Sequence, residues 1–343
     1  MITVFSPKHR LHHGVELKDG AVKPSFEEPN RAETVLARVR SQCLGAVQDA
    51  VKHDRSCYVS AHSERYVHFL ETAWAQWSAT GRTHDALPLI WPVNGLPSNE
   101  MPLHIDGQLG FFSMDAGAPI SAGTWEAVSA SADTALTAVD LMLEGADSAF
   151  ALCRPPGHHA ARELAGGYCY LNNAAIAAQR ARDRGAMRVA ILDVDFHHGN
   201  GTQDIFYDRS DVLFVSIHGD PRHSYPFFSG YANEEGVGHG HGHTVNMPLP
   251  WGTVWTDYQV ALIKALRRCV AHQPDLLIIS LGVDTFEGDP ISHFRLSSED
   301  YLRMGECIAA SGVPTLFVME GGYMVDEIGI NAVNTLQGFQ SSN

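Results

Sequence analysis

The sequence predicts an α/β fold, a three-layer α/β/α arrangement in which an open, mostly parallel sheet carries helices on both faces. Strand-like and helix-like segments alternate from about residue 149 onward, the pattern of strands joined by crossover helices. The strand-like segments are unbroken aliphatic runs such as Val189-Ala-Ile-Leu192, which suit strands covered on both sides. Four of these runs end abruptly in charged and polar residues, at the end of the strand where ligands bind in open α/β sheets.

Taken in order, Ile2–Phe5 reads as a first short strand, and Glu27-Glu-Pro-Asn-Arg31 breaks into a helix with apolar spacing over Ala32–Val39. A second helix runs through Glu64–Trp77, where Tyr66, Val67, Leu70, Trp74 and Trp77 recur near helical spacing. Such an aromatic stripe packs into a core. Periodicity then fails over residues 79–121, a stretch rich in Gly and Pro that still holds Leu87, Leu89, Ile90, Trp91, Leu96, Leu103, Phe111 and Phe112. Disordered linkers seldom carry so many large apolar groups. A loop this long in a compact domain is expected to pack on a partner subunit or overhang a pocket; the alternative is a loop folded onto its own domain. Thr124–Leu143 returns to a long amphipathic helix that ends at Gly145.

The alternation follows. Strands are expected at Ala149–Cys153, Val189–Leu192, Val212–Ile217, Leu276–Leu281 and Val313–Met319, and helices at Asn172–Arg184, Trp255–His272 and Tyr301–Ser311. With no internal repeat and no stretch of linker character, residues 1–343 are expected to form a single domain. The Gly238-His-Gly-His-Gly-His243 tract has no fixed geometry, and adventitious metal binding is its stronger reading.

Charge narrows the partners. Lys and Arg total 24 against 39 Asp and Glu, a formal net charge of −15, which repels phosphate backbones and anionic lipid headgroups. Nucleic acid and membrane surfaces are therefore not expected as partners, whereas cationic small molecules are favoured. The six cysteines are scattered without a Cys-x-x-Cys pair and read as reduced thiols. Met1–Phe5 runs straight into polar Ser6-Pro-Lys-His-Arg10 without a signal-peptide core, and no apolar run reaches transmembrane length. A soluble, cytoplasmic protein is expected.

The chemistry collects at strand ends. In Val189-Ala-Ile-Leu-Asp-Val-Asp-Phe-His-His-Gly-Asn-Gly-Thr202, Asp193, Asp195 and His197 fall at alternate positions, and a period of two puts them on one side. Ala149–Cys153 runs into Arg154-Pro-Pro-Gly-His-His159, Leu276–Leu281 into Gly282-Val-Asp284, and Val313–Met319 into Glu320-Gly-Gly-Tyr323. The inventory is two carboxylates and a histidine for a metal (Asp195, His197, Asp284), a histidine pair (His158, His159) and a tyrosine beside a glycine hinge. Three protein ligands leave a divalent metal room for water and a substrate oxygen. A nearby histidine takes the water's proton and a second donor steadies the oxyanion; Asp193 or Asn200 would orient the histidines.

These stretches, with Gly166-Gly-Tyr-Cys-Tyr-Leu-Asn-Asn173, resemble the zinc-dependent histone deacetylase and acetylpolyamine amidohydrolase superfamily, in the right order and over nearly the whole chain. Gly123-Thr-Trp-Glu126, Val283-Asp-Thr-Phe-Glu-Gly-Asp-Pro-Ile291 and the long insertion are most similar to the bacterial acetylpolyamine amidohydrolases, in which the insertion builds a dimer that narrows the entrance. The resemblance implies the arginase and deacetylase fold. It implies zinc, or ferrous iron, on Asp195, His197 and Asp284, His159 as general base and acid, His158 as its electrostatic partner, and Tyr323 as oxyanion donor. It places Gly167, Tyr168 and Tyr225 along a substrate tunnel. It also implies a structural potassium ion on Asp193, Ser216 and the carbonyls of Asp195, His197 and Ile217, with a second near Phe206, Arg209 and Val212. Two features depart from the pattern. Asn200 replaces an Asp found in deacetylases of the yeast type, which leaves His159 less basic, and Tyr168 and Tyr225 replace Phe.

The expected function is removal of acetyl groups from acetylpolyamines or related small amines by a homodimer, with Asp106, Asp115 and Glu100 of the insertion as candidates to meet the substrate's distal ammonium. A protein-lysine deacetylase shares every catalytic residue and is the alternative. A non-catalytic acetyl-amine binding protein is the second, and the presence of Tyr323, His158 and His159 speaks against it.

Overall fold

The computed structural model of the protein describes residues 1–95 and 100–342; Leu96 of the insertion lies outside them. The chain opens with strand β1 (Ile2–Phe5), the hairpin β2 (Val15–Lys18) and β3 (Ala21–Pro24), helix α1 (Pro29–Ser41) and strand β4 (Val47–Asp49). Helices α2 (Ser56–Val59), α3 (Glu64–Ala79), α4 (Ile105–Phe111) and α5 (Thr124–Leu143) follow. Then come β5 (Ser148–Ala151), α6 (Asn173–Asp183), β6 (Val189–Asp193), α7 (Asn200–Phe206), β7 (Val212–Gly219) and β8 (Thr244–Leu249). The chain closes with α8 (Trp255–Ala271), β9 (Leu276–Leu281), α9 (Ser298–Ala309), β10 (Thr315–Met319) and α10 (Val325–Ser341).

Eight strands form one sheet in the order β4-β1-β5-β10-β9-β6-β7-β8, and every neighbouring pair runs parallel. The unbroken apolar runs are explained by what covers them. Alternate residues of the same strand enter two different cores: Val189 and Ile191 of β6 pack with α3, α5 and α6 residues such as Leu70, Leu136 and Ile176. Ala190 and Leu192 pack with Leu36, Leu262, Ile308 and Leu336 of α1, α8, α9 and α10. Both faces are dry, so no polar alternation survives. At the end of the sheet the rule relaxes: β8, Thr244-Val-Asn-Met-Pro-Leu249, has only one neighbour and tolerates Pro248 and Asn246.

Sheet order has a consequence for function. The four strands whose ends carry the polar motifs, β5, β10, β9 and β6, are contiguous in the sheet, so parallel pairing delivers their carboxyl ends to one place. The register sets Asp193 beside both Ser216 and Ser280. The antiparallel hairpin β2–β3 stands apart from the sheet.

The insertion is partly folded rather than irregular throughout. Ala86 and Ile120 pair across it, and Ile105 and Leu109 of α4 are buried together with Phe112 just after it. Leu89, Ile90, Val93 and Leu103 remain exposed. No described helix is long and apolar enough to cross a membrane.

Candidate active site

The end of β6 is shaped by its own acids. Asp193 Oδ1 accepts the Asp195 N–H at 3.1 Å and Asp195 Oδ1 accepts the His197 N–H at 2.9 Å. Each carboxylate thus holds the chain two residues on, a local turn device that Asp favours. From the end of β9, Asp284 accepts the Phe196 N–H on Oδ1 at 2.7 Å, and its Oδ2 lies 2.8 Å from His197 Nδ1. The Gly321 N–H, after β10, donates to Asp195 Oδ2 at 2.8 Å. Asp195, His197 and Asp284 are all buried, and one ligand atom from each lies within 4.8 Å of the others. Gly282 makes room for this: a Cβ there would sit 2.0 Å from Asp195 Oδ2.

The charges at this cluster depend on one another. Burial, then the neighbouring Asp195 charge, pushes Asp284 up to about 8. Burial opposes charge on His197, but bonds to Asp195 and Asp284 raise it to about 10. Burial likewise favours a neutral Asp195, yet the His158 charge and the His197 bond hold it far below the usual carboxylate range. Two carboxylates and an imidazole gathered in a dry pocket form a ligand set that fits a divalent metal.

The histidine pair follows β5. His158 Nδ1 lies 2.9 Å from Asp193 Oδ2. The N–H groups of Gly157 and His158 donate to Glu320 Oε2 at 2.7 and 3.1 Å. Burial disfavours its charge, but Asp193 and Asp195 outweigh that and push His158 up to about 10. His159 goes the other way: burial, then the His158 and His197 charges, drive it well below 6.5. Opposite shifts on adjacent groups are a feature of functional sites. His159 Nδ1 is 2.7 Å from Asn200 Oδ1; an amide oxygen there puts the ring proton on Nδ1 and leaves Nε2 free to accept one.

A cavity of ≈ 530 Å³ is lined by His159, Gly167, Tyr168, His197, Tyr225, Ile291 and Tyr323, together with Asp115 and hairpin residues Glu16–Asp19. Gly167 has φ 52°, and a Cβ on it would lie 2.4 Å from His159 Cδ2, so the wall approaches the base closely. Both tunnel tyrosines spend their hydroxyls on carboxylates, Tyr168 on Glu16 Oε2 at 2.7 Å and Tyr225 on Asp115 Oδ2 at 2.6 Å. Tyr323 packs under the Arg31 guanidinium, 4.7 Å from its ring centre. Arg31 in turn donates to the Gly322 and Glu320 carbonyls, both at 2.6 Å, and pairs with Glu27 at 2.8 Å. Burial pushes the Tyr323 phenol well above its ordinary pKa, so its proton stays in place to be donated.

The cavity thus has His159, His197, Tyr323, Gly167, Tyr168, Tyr225 and Asp115 in its wall, with Asp195, Asp284 and His158 buried next to His197 and His159. Asp106 and Glu100 do not line it. Asp106 is instead paired with Arg82, whose Nη2 lies 2.9 Å from Asp106 Oδ2. Asp193, Ser216 and Ile217 are fully buried behind the cluster, with Ser216 Oγ 2.8 Å from His218 Nδ1. Arg209, near Phe206, is paired with Asp211 at 2.6 Å. Sequence reasoning missed Glu16, Arg31 and Asp289, whose Oδ2 accepts the Tyr323 N–H at 2.8 Å. Only the Glu27–Arg31 spacing of four carried a signal.

A family model described as the histone deacetylase domain matches residues 25–338. The chain belongs to the histone deacetylase family. Within that family it is 59% identical over 341 residues to acetylpolyamine amidohydrolase 2 of Pseudomonas aeruginosa, covering 99% of both chains. It is 49% identical over 339 residues to the acetylpolyamine amidohydrolase of Mycoplana ramosa, covering 98% of this chain and 99% of the relative. The crystal structure of an acetylpolyamine aminohydrolase from Burkholderia pseudomallei superposes with a TM-score of 0.94 at 38% identity, covering 100% of this chain and 99% of that one. The α/β/α architecture is thus that of a histone deacetylase family member.

Proposed function

We propose that the protein is a metal-dependent amidohydrolase that deacetylates acetylpolyamines or related small amines, such as acetylputrescine, acetylspermidine and acetylcadaverine, to acetate and the free amine. The observation that carries this reading is the buried Asp195–His197–Asp284 set, whose His197 lines the same cavity as His159, held below its ordinary pKa, and Tyr323, held above its own. Asp195, His197 and Asp284 would hold zinc or ferrous iron. A divalent ion held there supplies polarisation of the amide carbonyl and acidification of water.

His159 takes the water's proton at Nε2 and passes it to the leaving amine, with Asn200 fixing the tautomer. His158, positive against Asp193, balances the charge that develops beside it. Tyr323 donates its hydroxyl to the oxyanion, and Gly167, Tyr168 and Tyr225 flank the acyl chain. Asp193, Ser216 and the Asp195, His197 and Ile217 carbonyls would hold a structural potassium ion, and the region of Phe206, Arg209 and Val212 a second. The names of the relatives above support the polyamine substrate. Exposed Leu89 and Leu103, at 79% and 89%, support a homodimer contact through the insertion.

The test is acetate release from the three acetylated amines and from an acetyl-lysine peptide, with the protein loaded first with zinc and then with iron. Faster turnover of an acetylated amine is expected. No release from any of the three amines overturns the reading, and preference for the peptide replaces it with protein-lysine deacetylation.

A further inference from the structure

Tyr323 follows two glycines, and Gly322 stands at φ 128°, a backbone conformation that favours glycine. A tyrosine on such a hinge takes its place from whatever holds the chain on either side. Before it, the Gly321 N–H is bound by Asp195 at 2.8 Å and the Gly322 carbonyl by Arg31 at 2.6 Å. The Tyr323 N–H itself goes to Asp289 Oδ2 at 2.8 Å, 34 residues back in the chain. Asp289 lies in the loop between β9 and α9 and is 8% exposed. Its other oxygen, Oδ1, accepts the Ile291 N–H at 3.0 Å, the two-residue turn that Asp favours, here before Pro290. The loop is closed beneath it: the Asp289 N–H donates to the Phe286 carbonyl at 3.1 Å, and Phe286 pairs with Leu296.

Both oxygens of one buried carboxylate are therefore engaged by main-chain donors, one from each of two segments of the cavity wall, since Ile291 and Tyr323 both line it and Asp289 does not. Bonds from N–H groups to a carboxylate are shorter and stronger than those to a neutral acceptor, so they fix the donor's place well. An oxyanion donor needs such a fix, because a small misplacement of a catalytic group forfeits most of its effect. We propose that Asp289 is the positioning residue that aims Tyr323 at the substrate and ties it to the cavity wall at Ile291. This rests on the amidohydrolase reading above and adds to it how the oxyanion donor is held. Without Asp289 the Tyr323 ring still has the Arg31 guanidinium at 4.7 Å and the Tyr168 ring at 5.5 Å. The tyrosine stays in the wall, but its backbone is free to turn about Gly322 and its hydroxyl loses its aim.

The experiment places Asp289→Ala in the metal-loaded wild type and in Tyr323→Phe and follows hydrolysis of acetylputrescine. In the wild-type background kcat is expected to fall by about ten- to a hundredfold with KM nearly unchanged, and metal content per chain, by elemental analysis, to stay as in wild type. In the Tyr323→Phe background the same substitution is expected to change kcat by less than about twofold, because residues that act as a unit are not additive. Asp289→Asn, which keeps one acceptor oxygen, is expected to fall between wild type and Asp289→Ala. Hydrogen–deuterium exchange read by mass spectrometry needs no turnover, and the segment Glu320–Met324 should exchange faster in Asp289→Ala than in wild type. A loss of kcat equal in both backgrounds, a loss that tracks lost metal, or an unchanged exchange rate in that segment overturns the proposal. A wild type that releases no acetate, with faster exchange of the segment in Asp289→Ala, overturns the amidohydrolase reading and leaves the anchoring of Tyr323 standing.

Discussion

Burial and two neighbouring imidazoles keep His159 uncharged, and an amide rather than a carboxylate faces its Nδ1 at 2.7 Å. The sign of a pH effect follows. A base must be neutral to work, and Asn200→Asp would place a negative charge against His159 and raise its pKa. The acid limb of the kcat/KM profile on acetylputrescine is therefore expected to move to higher pH in Asn200→Asp. A limb that stays put or moves down contradicts the assignment of His159 as base. Tyr323→Phe tests the oxyanion donor: kcat should fall by about 10²–10³, with metal content per chain unchanged when assayed by elemental analysis. At this scale the candidates Asp195, His197 and Asp284, the histidine pair and Tyr323 could be named from the sequence, because each sits in a motif of a few residues. The charge state of each histidine was not, since it depends on Asp193, Asp195 and His197 arriving from elsewhere.

The ends of β6, β9 and β10 meet because their strands are neighbours in the sheet, and their packing leaves no slack. Gly282→Ala would drive a methyl to 2.0 Å from Asp195 Oδ2, so the carboxylate must move and the ligand set opens. Loss of most of the bound metal is expected, read by metal analysis of the purified variant; full metal occupancy would show that Asp195 is not a ligand. Among the elements, the central strands and the helices α3, α5, α6, α8 and α9 were expected within a few residues of where they lie. Helix α9 begins at Ser298, earlier than its apolar spacing suggests, because Ser297 and Asp300 form a capping box. Helix α10 is absent from the expected elements although Ile328, Ala332, Leu336 and Phe339 carry helical spacing. Strand β8 and the β2–β3 hairpin gave no such pattern: one lies at the end of the sheet with Pro248, and the other keeps Leu17 and Val22 exposed.

Across the whole molecule, the insertion is divided between a buried part that joins the core and an exposed apolar part built from Leu89, Ile90, Val93 and Leu103. Deleting Leu87–Leu103 is expected to convert a dimer into a monomer in sedimentation and to raise turnover of an acetyl-lysine peptide relative to acetylputrescine. A deletion variant that stays dimeric and keeps the substrate ratio removes the insertion as both contact and gate.

By itself the sequence determined the layered α/β architecture, the family and the polar residues at four strand ends. Those follow from local rules, the unbroken apolar run of a strand covered on both faces and the short polar motif that follows each strand. Only the tertiary structure decided which acids are engaged. Asp106 is neutralised by Arg82, Asp115 is consumed by three donors, and Glu16 reaches the cavity wall to meet Tyr168 across 152 residues of sequence. Burial and Coulomb interaction act through space, and no pattern along the chain records them.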